Sequence, residues 1–237
     1  MNLSLRRAEA APRGSGRGAR TIRVVSLRLA LPPIALAIVS VAVAHAEKAA
    51  TTVVAKQDLQ AKVAYCETCH GASGRGFRGY YPIPRLAGQQ PEYFENQLRA
   101  FTERRRTNNI MFNVAHVLSP AMITTLAAHF RDLAPKPLSG ASGELVAAGR
   151  KIYEEGVANT DVPPCASCHG PDAHGNGEFP RLAGQLHDYV LRKLTNWSTE
   201  RGQDPKNPDT SAIMQPIAHS LTEPQIRAVA AYLNHLE

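Results

Sequence analysis

The chain has 237 residues, of which 43% are hydrophobic, 20% charged and 6% aromatic. That composition supports buried cores and excludes wholesale disorder, and four cysteines are too few for a disulfide-dense scaffold. The net charge of +7 is concentrated at one end: residues 1–46 hold seven arginines and one acid, Glu9, whereas 47–237 hold 20 basic and 19 acidic residues. No basic body remains to track phosphates, so no nucleic-acid partner is expected.

The first element in chain order is an address. The Arg-rich segment leads into an apolar run, Leu29 to Ala44, which ends at the small-x-small site Ala44-His45-Ala46 before polar Glu47. This is the layout of a secretory signal over residues 1–46. The run is 16 residues long, short of the roughly 20 of a spanning helix, with an uncleaved anchor as the alternative. Arg6-Arg7 lacks the surroundings of a twin-Arg signal. Either way the remainder is expected in the periplasm, soluble or attached to the inner membrane.

Beyond the address, the chain is one unit written twice. Cys66-Glu67-Thr68-Cys69-His70-Gly71 recurs 99 residues later as Cys165-Ala166-Ser167-Cys168-His169-Gly170. Pro84-Arg85-Leu86-Ala87-Gly88-Gln89 recurs at an offset of 96 as Pro180-Arg181-Leu182-Ala183-Gly184-Gln185. The same offset pairs Tyr93 with Tyr189, Leu98 with Leu194, Phe101 with Trp197 and Arg105 with Arg201. An offset of 103 pairs Met111 with Met214, His116 with His219, Leu118 with Leu221, Ile123 with Ile226 and His129 with Tyr232. The offsets change only between motifs, where loops absorb insertions.

The predicted elements are helices: Glu92–Phe101 and Pro120–Leu133 in the first copy, and Gly143–Glu155, His187–Trp197 and Pro224–Leu236 in the second. Each terminal helix follows a capping residue, Ser119 or Thr222, and carries proline in its first turn. No stretch alternates as a strand. Residues 134–143 hold two prolines and two glycines and read as a linker, so the expected domains are 47–133 and 144–237.

Three uses compete for the cysteines. A disulfide framework is weak with no cysteines beyond the two close pairs, and a thioredoxin-like pair needs a βαβ context that is missing. Zinc could take four cysteines, yet a whole domain separates the pairs and each CxxC is followed at once by histidine. CxxCH is the attachment signature of c-type haem: two thiols add across the porphyrin vinyl groups and the adjacent imidazole reaches the iron. The candidate set is Cys66 and Cys69 with His70, and Cys165 and Cys168 with His169, for two covalent c-type haems. A porphyrin also supplies the core that an aromatic-poor domain of this size lacks.

The sixth iron position decides between electron carriage and chemistry. Met111 and Met214 match across the repeat and fall in loops just before each last helix, whereas Met122 has no counterpart. A thioether suits iron and raises its potential. His116 and His219 are the rival pair. They lie five residues past the methionines, where the chain enters the last helix, and read otherwise as surface or propionate-contacting groups. The unmatched His174, His187 and His235 are expected to face solvent. With His and Met on both faces, each iron is six-coordinate, and an electron carrier rather than an enzyme is expected.

These motifs together resemble class I cytochrome c, and two copies after a signal resemble the diheme cytochrome c4 family over residues 50–237. The resemblance implies an all-α fold of two tandem cytochrome c domains, each wrapped around a covalent haem, related by a pseudo-twofold. It implies Met111 and Met214 as sixth ligands, the carbonyls of Pro84 and Pro180 as acceptors from the Nδ1–H of His70 and His169, and Arg85 and Arg181 near propionates. In the second copy Gly149 and Tyr153 suit a close helix crossing; the first copy offers only Ala61 and Tyr65. Arg104-Arg105-Arg106 reads as a solvated loop, or as a propionate-neutralising or partner-steering patch.

The function implied is a periplasmic carrier of single electrons in a respiratory chain, delivering to a terminal oxidase from a quinol–cytochrome c reductase or a dehydrogenase. The alternatives are a cytochrome subunit of a flavocytochrome or other dehydrogenase complex and, further off, a diheme peroxidase, which needs a five-coordinate iron.

Overall fold

A computed structural model describes residues 57–138, 143–201 and 210–237. The expected signal (1–46) and the middle of the expected linker lie outside the described residues. In the first half, α1 covers 57–70, α2 Pro91–Thr102, α3 Asn109–His116 and α4 Pro120–Arg131. The second half has α5 (Gly143–Glu155), α6 (Ala166–His169), α7 (His187–Thr195), α8 (Trp197–Glu200), α9 (Ser211–Ser220) and α10 (Glu223–His235). Among the described residues β-structure is limited to isolated bridges. No single described helix is long and apolar enough to cross a membrane.

Each half builds its own small core from helical spacing. Phe94, Leu98 and Phe101 recur at i, i+4 and i+7 on one face of α2 and bury against Ile123, Leu126 and Phe130 of α4. The Phe94 and Phe130 rings stack at 5.7 Å between centroids. Leu59, Val63 and Cys66 of α1 repeat the same spacing and pack on this cluster. In the second half Tyr153 of α5 and Val190 of α7 close on Val229, Tyr232 and Leu233 of α10.

The terminal helices start where capping chemistry places them. The Ser119 hydroxyl accepts from the Met122 amide at 3.2 Å. Thr222 and Gln225 form a capping box, with Gln225 Oε1 accepting from the Thr222 amide at 2.8 Å. The ends differ slightly from the sequence expectation: α4 stops at Arg131, and α7 breaks at Asn196, so Trp197 opens a separate turn.

The two halves make their first helix differently. Gly149 brings α5 onto the α10 backbone: a methyl built there would lie 1.9 Å from the Ala228 carbonyl oxygen and 2.8 Å from Tyr232 Cβ, so no side chain fits. Tyr153 is fully buried and its hydroxyl donates to the Gly170 carbonyl at 2.5 Å. Ala61 and Tyr65 do not play this part in the first half, because both are exposed, Tyr65 to 60%. The cause is register. α1 runs unbroken into Cys66 and His70, whereas a loop separates α5 from Cys165, so the equivalent face of α1 is Leu59 and Val63.

Candidate haem sites

Backbone hydrogen bonds sew three repeated segments together around each CxxCH. The His70 carbonyl accepts from Gly76 N at 2.7 Å, and the His169 carbonyl from Gly175 N at 2.8 Å. The Gly74 carbonyl accepts from Leu86 N at 2.8 Å, matched by Ala173 and Leu182 at 2.7 Å. Gly88 N and Gly184 N donate to Phe130 and Leu233 of the terminal helices, both at 2.8 Å. Gly88 and Gly184 sit at φ +75 and +70, which glycine adopts without the side-chain penalty.

This framework carries each proline carbonyl to its histidine. His70 Nδ1 lies 2.9 Å from Pro84 O, and His169 Nδ1 lies 3.0 Å from Pro180 O. A neutral ring that donates its Nδ1 proton keeps the Nε2 lone pair for a metal and has its orientation fixed. Both rings are buried, and that burial lowers both pKa values, which favours the neutral form that ligates.

None of the four cysteines is paired in a disulfide. Cys66 and Cys165 are partly buried and their pKa values are raised by that burial, that of Cys165 to about 11, whereas Cys69 and Cys168 are exposed. Among the described residues no three His, Cys, Asp or Glu side chains gather into a metal-binding group, so the zinc alternative has no ligand set there.

Met111 and Met214 are in short helices, not in loops: Met111 is the third residue of α3 and Met214 the fourth of α9. The Asn108 side chain caps α3 by accepting from Met111 N at 3.0 Å, a helix-start signal present in the sequence. Both methionines are partly buried, and Met111 packs against the first core. Met122 is a core residue. His116 and His219 close α3 and α9 rather than enter the last helix; both are exposed, His116 stacked on Phe112 and His219 against the Ser198 hydroxyl. His235 is exposed as expected, but His174 and His187 are partly buried, with His174 Nε2 3.0 Å from the Glu237 carbonyl and His187 paired with Asp188.

Arg85 and Arg181 occupy equivalent places. Arg85 Nε donates to the Ala87 carbonyl at 3.1 Å and Arg181 Nε to that of Ala183 at 3.2 Å. Both line one cleft between the halves, and no acidic side chain lines it with them. Burial, then Arg181, holds the Arg85 guanidinium down to about 10, still charged at neutral pH. Arg85 Nη1 is buried without a hydrogen-bond partner in the protein. Two cations in this cleft, one with an unpaired Nη1, suit carboxylates brought by a bound group, which is what haem propionates would supply.

The residues that join the halves were not legible as such. Gln89 Oε1 accepts from Arg181 N at 2.8 Å while its Nε2 donates to Arg181 O at 3.1 Å. Gln185 does the same to Arg85, at 2.8 and 3.0 Å. The arginine run is solvated only in part: Arg104 is exposed, Arg105 is half-buried and paired with Glu103, and Arg106 is buried. Arg106 donates to Gln97 Oε1 at 2.8 Å and to the Tyr189 hydroxyl at 2.7 Å. Its structural partner is Arg201, which donates to the same Gln97 oxygen at 2.6 Å and reaches the Tyr93 hydroxyl at 3.5 Å. Arg106 and Arg201 face each other in an isolated bridge, so the sequence pairing of Arg105 with Arg201 is one residue out. Arg104, at φ +58 over the Phe112 ring, occupies the extra position.

Two thiol pairs, each beside a buried imidazole held through Nδ1, on a duplicated helical frame, define two sites for covalently attached haem. The comparisons agree. The cytochrome c family matches residues 146–237. Cytochrome c-552 of Acidithiobacillus ferridurans is 40% identical over 179 residues, covering 72% of this chain and 73% of its own. A thiosulfate dehydrogenase electron acceptor of Thiomonas intermedia is 36% identical, covering 73% of this chain and 78% of its own. The structure of Acidithiobacillus ferrooxidans cytochrome c4 superposes with a TM-score of 0.60 at 38% identity, covering 72% of this chain and 98% of that one. The chain belongs to the cytochrome c4 family. It carries two covalent c-type haems and is an electron carrier of that type.

The haem supplies reversible one-electron iron chemistry. The chain's own part is local. Cys66, Cys69, Cys165 and Cys168 would tether the haems; Pro84 and Pro180 accept from the Nδ1 of His70 and His169 and fix the rings; Arg85 and Arg181 would offer donors to carboxylates.

Proposed function

We propose that the protein works in the periplasm as a two-site relay for single electrons, with His70 and Met111 on one iron and His169 and Met214 on the other. The observation that carries this reading is the duplicated imidazole–carbonyl contact, 2.9 Å at Pro84 and 3.0 Å at Pro180, on repeat-matched sites. Such a contact orients a permanent ligand, and a thioether opposite it closes the iron to substrates. The relay accepts electrons from an oxidising enzyme and delivers them to a terminal oxidase. A relative named as an electron acceptor of thiosulfate dehydrogenase favours a sulfur-compound dehydrogenase as donor, whether free or as a lasting complex. The exported location rests on the signal-like segment 1–46.

Rapid mixing tests this. The oxidised protein should be reduced at both haems by thiosulfate plus a thiosulfate dehydrogenase, and the reduced protein should be reoxidised by a membrane-bound haem–copper oxidase. Hydrogen peroxide supplied with an excess of reductant, such as ascorbate with a mediator, should produce no turnover. Catalytic peroxide consumption by the purified protein would replace the carrier reading with the peroxidase one.

A further inference from the structure

The glutamine clasp touches more than the interface. Pro84 O and Arg85 N belong to one peptide group. Its oxygen accepts from His70 Nδ1 at 2.9 Å, and its N–H donates to Gln185 Oε1 at 2.8 Å. The second half mirrors this: Pro180 O accepts from His169 Nδ1 at 3.0 Å, and Arg181 N donates to Gln89 Oε1 at 2.8 Å. Each chain of two hydrogen bonds therefore runs from the imidazole of one half, through a single peptide plane, to a glutamine of the other.

We propose that Gln185 tunes the haem held by His70 and Gln89 tunes the haem held by His169, each across the interface. This rests on the reading of His70 and His169 as iron ligands. An acceptor on a peptide N–H polarises the group and places more negative charge on its oxygen, strengthening the bond that oxygen receives. A stronger pull on the Nδ1 proton makes the imidazole a better donor, which favours the oxidised iron and lowers its potential.

The carboxamides are built to do this. Both glutamines are 7% exposed, so bulk water does not compete for the peptide N–H. Each Oε1 is aimed by a second donor, the amide of the next residue, Gln90 at 2.9 Å and Leu186 at 3.0 Å. Each Nε2 donates to the carbonyl of the same arginine whose N–H the Oε1 receives, so the amide plane is fixed from both ends. A glutamine acting only as interface glue would need none of this to fall on the peptide beside the histidine.

The test is a redox titration of the full holoprotein, with the two midpoints assigned through Met111→Ala and Met214→Ala. Gln185→Leu should raise the midpoint of the first-half haem and leave the second in place. Gln89→Leu should do the reverse. Gln185→Glu keeps an acceptor oxygen at the same position and should hold the first-half midpoint at or below the wild-type value, which covers the case of a leucine variant that does not fold. Proton exchange at His70 Nδ1, followed by NMR, should quicken in Gln185→Leu and not in Gln89→Leu. Shifts confined to the half that bears the substitution, equal shifts in both, or none would overturn the proposal. Failure of the ligand reading would show separately, as absence of hyperfine-shifted imidazole resonances in the wild-type protein.

Discussion

Replacing Met111 by alanine should turn the first-half haem high-spin and lower its midpoint, while the second-half haem keeps its low-spin spectrum. Met214→Ala should do the converse. The direction comes from the ligand: a soft thioether stabilises the reduced iron, and water or an open position does not. Axial ligation spans about 0.8 V of haem potential, so loss of a thioether is expected to rank among the largest single-residue shifts available. The thioether-to-iron charge-transfer band of the ferric protein, measured in each variant, is the readout. The rival reading makes the opposite prediction, namely that His116→Ala or His219→Ala abolishes a low-spin signal while the methionine variants are silent. The exposure of both histidines, against the partial burial of both methionines, favours the first outcome.

The double substitution Cys165→Ala with Cys168→Ala should halve the covalent haem content, from two per chain to one. Haem staining after denaturing electrophoresis, with intact mass, reads it directly. The consequence for stability is local. The second core is small, centred on Tyr153, Val229, Tyr232 and Leu233, and a bound porphyrin would add apolar surface that a domain of this size needs. Protease resistance should therefore fall first in 143–237, with the first half retaining its spectrum. Two covalent haems surviving the double substitution would contradict the attachment.

Much of this is legible in the sequence because the repeat exposes it. Matched offsets pick out Cys66 with Cys165, His70 with His169 and Pro84 with Pro180, and the structure sets each histidine on its proline. Helix existence comes from the spacing of residues such as Phe94, Leu98 and Phe101. The hidden features are long-range or a matter of register. Met111 reads as a loop residue because α3 has only eight residues, too short for a clear helical period, though Asn108 marks its start. Arg106 reads as solvated because an Arg-rich run usually is, and its burial depends on Tyr189 and Gln97, a half-chain and a helix away. Gln89 and Gln185 are visible as a matched pair, but only the fold shows that each serves the other half. Ala61 and Tyr65 misalign because the loop before Cys165 has no counterpart before Cys66.

The central claim is that two tethered irons, each closed on both faces by chain-derived ligands, pass electrons one at a time. A spectroelectrochemical titration under carbon monoxide tests it in one experiment. The account predicts two one-electron waves per chain, low-spin spectra in both oxidation states and no carbon monoxide adduct at either iron. One wave per chain, or ready carbon monoxide binding at both irons, would contradict it.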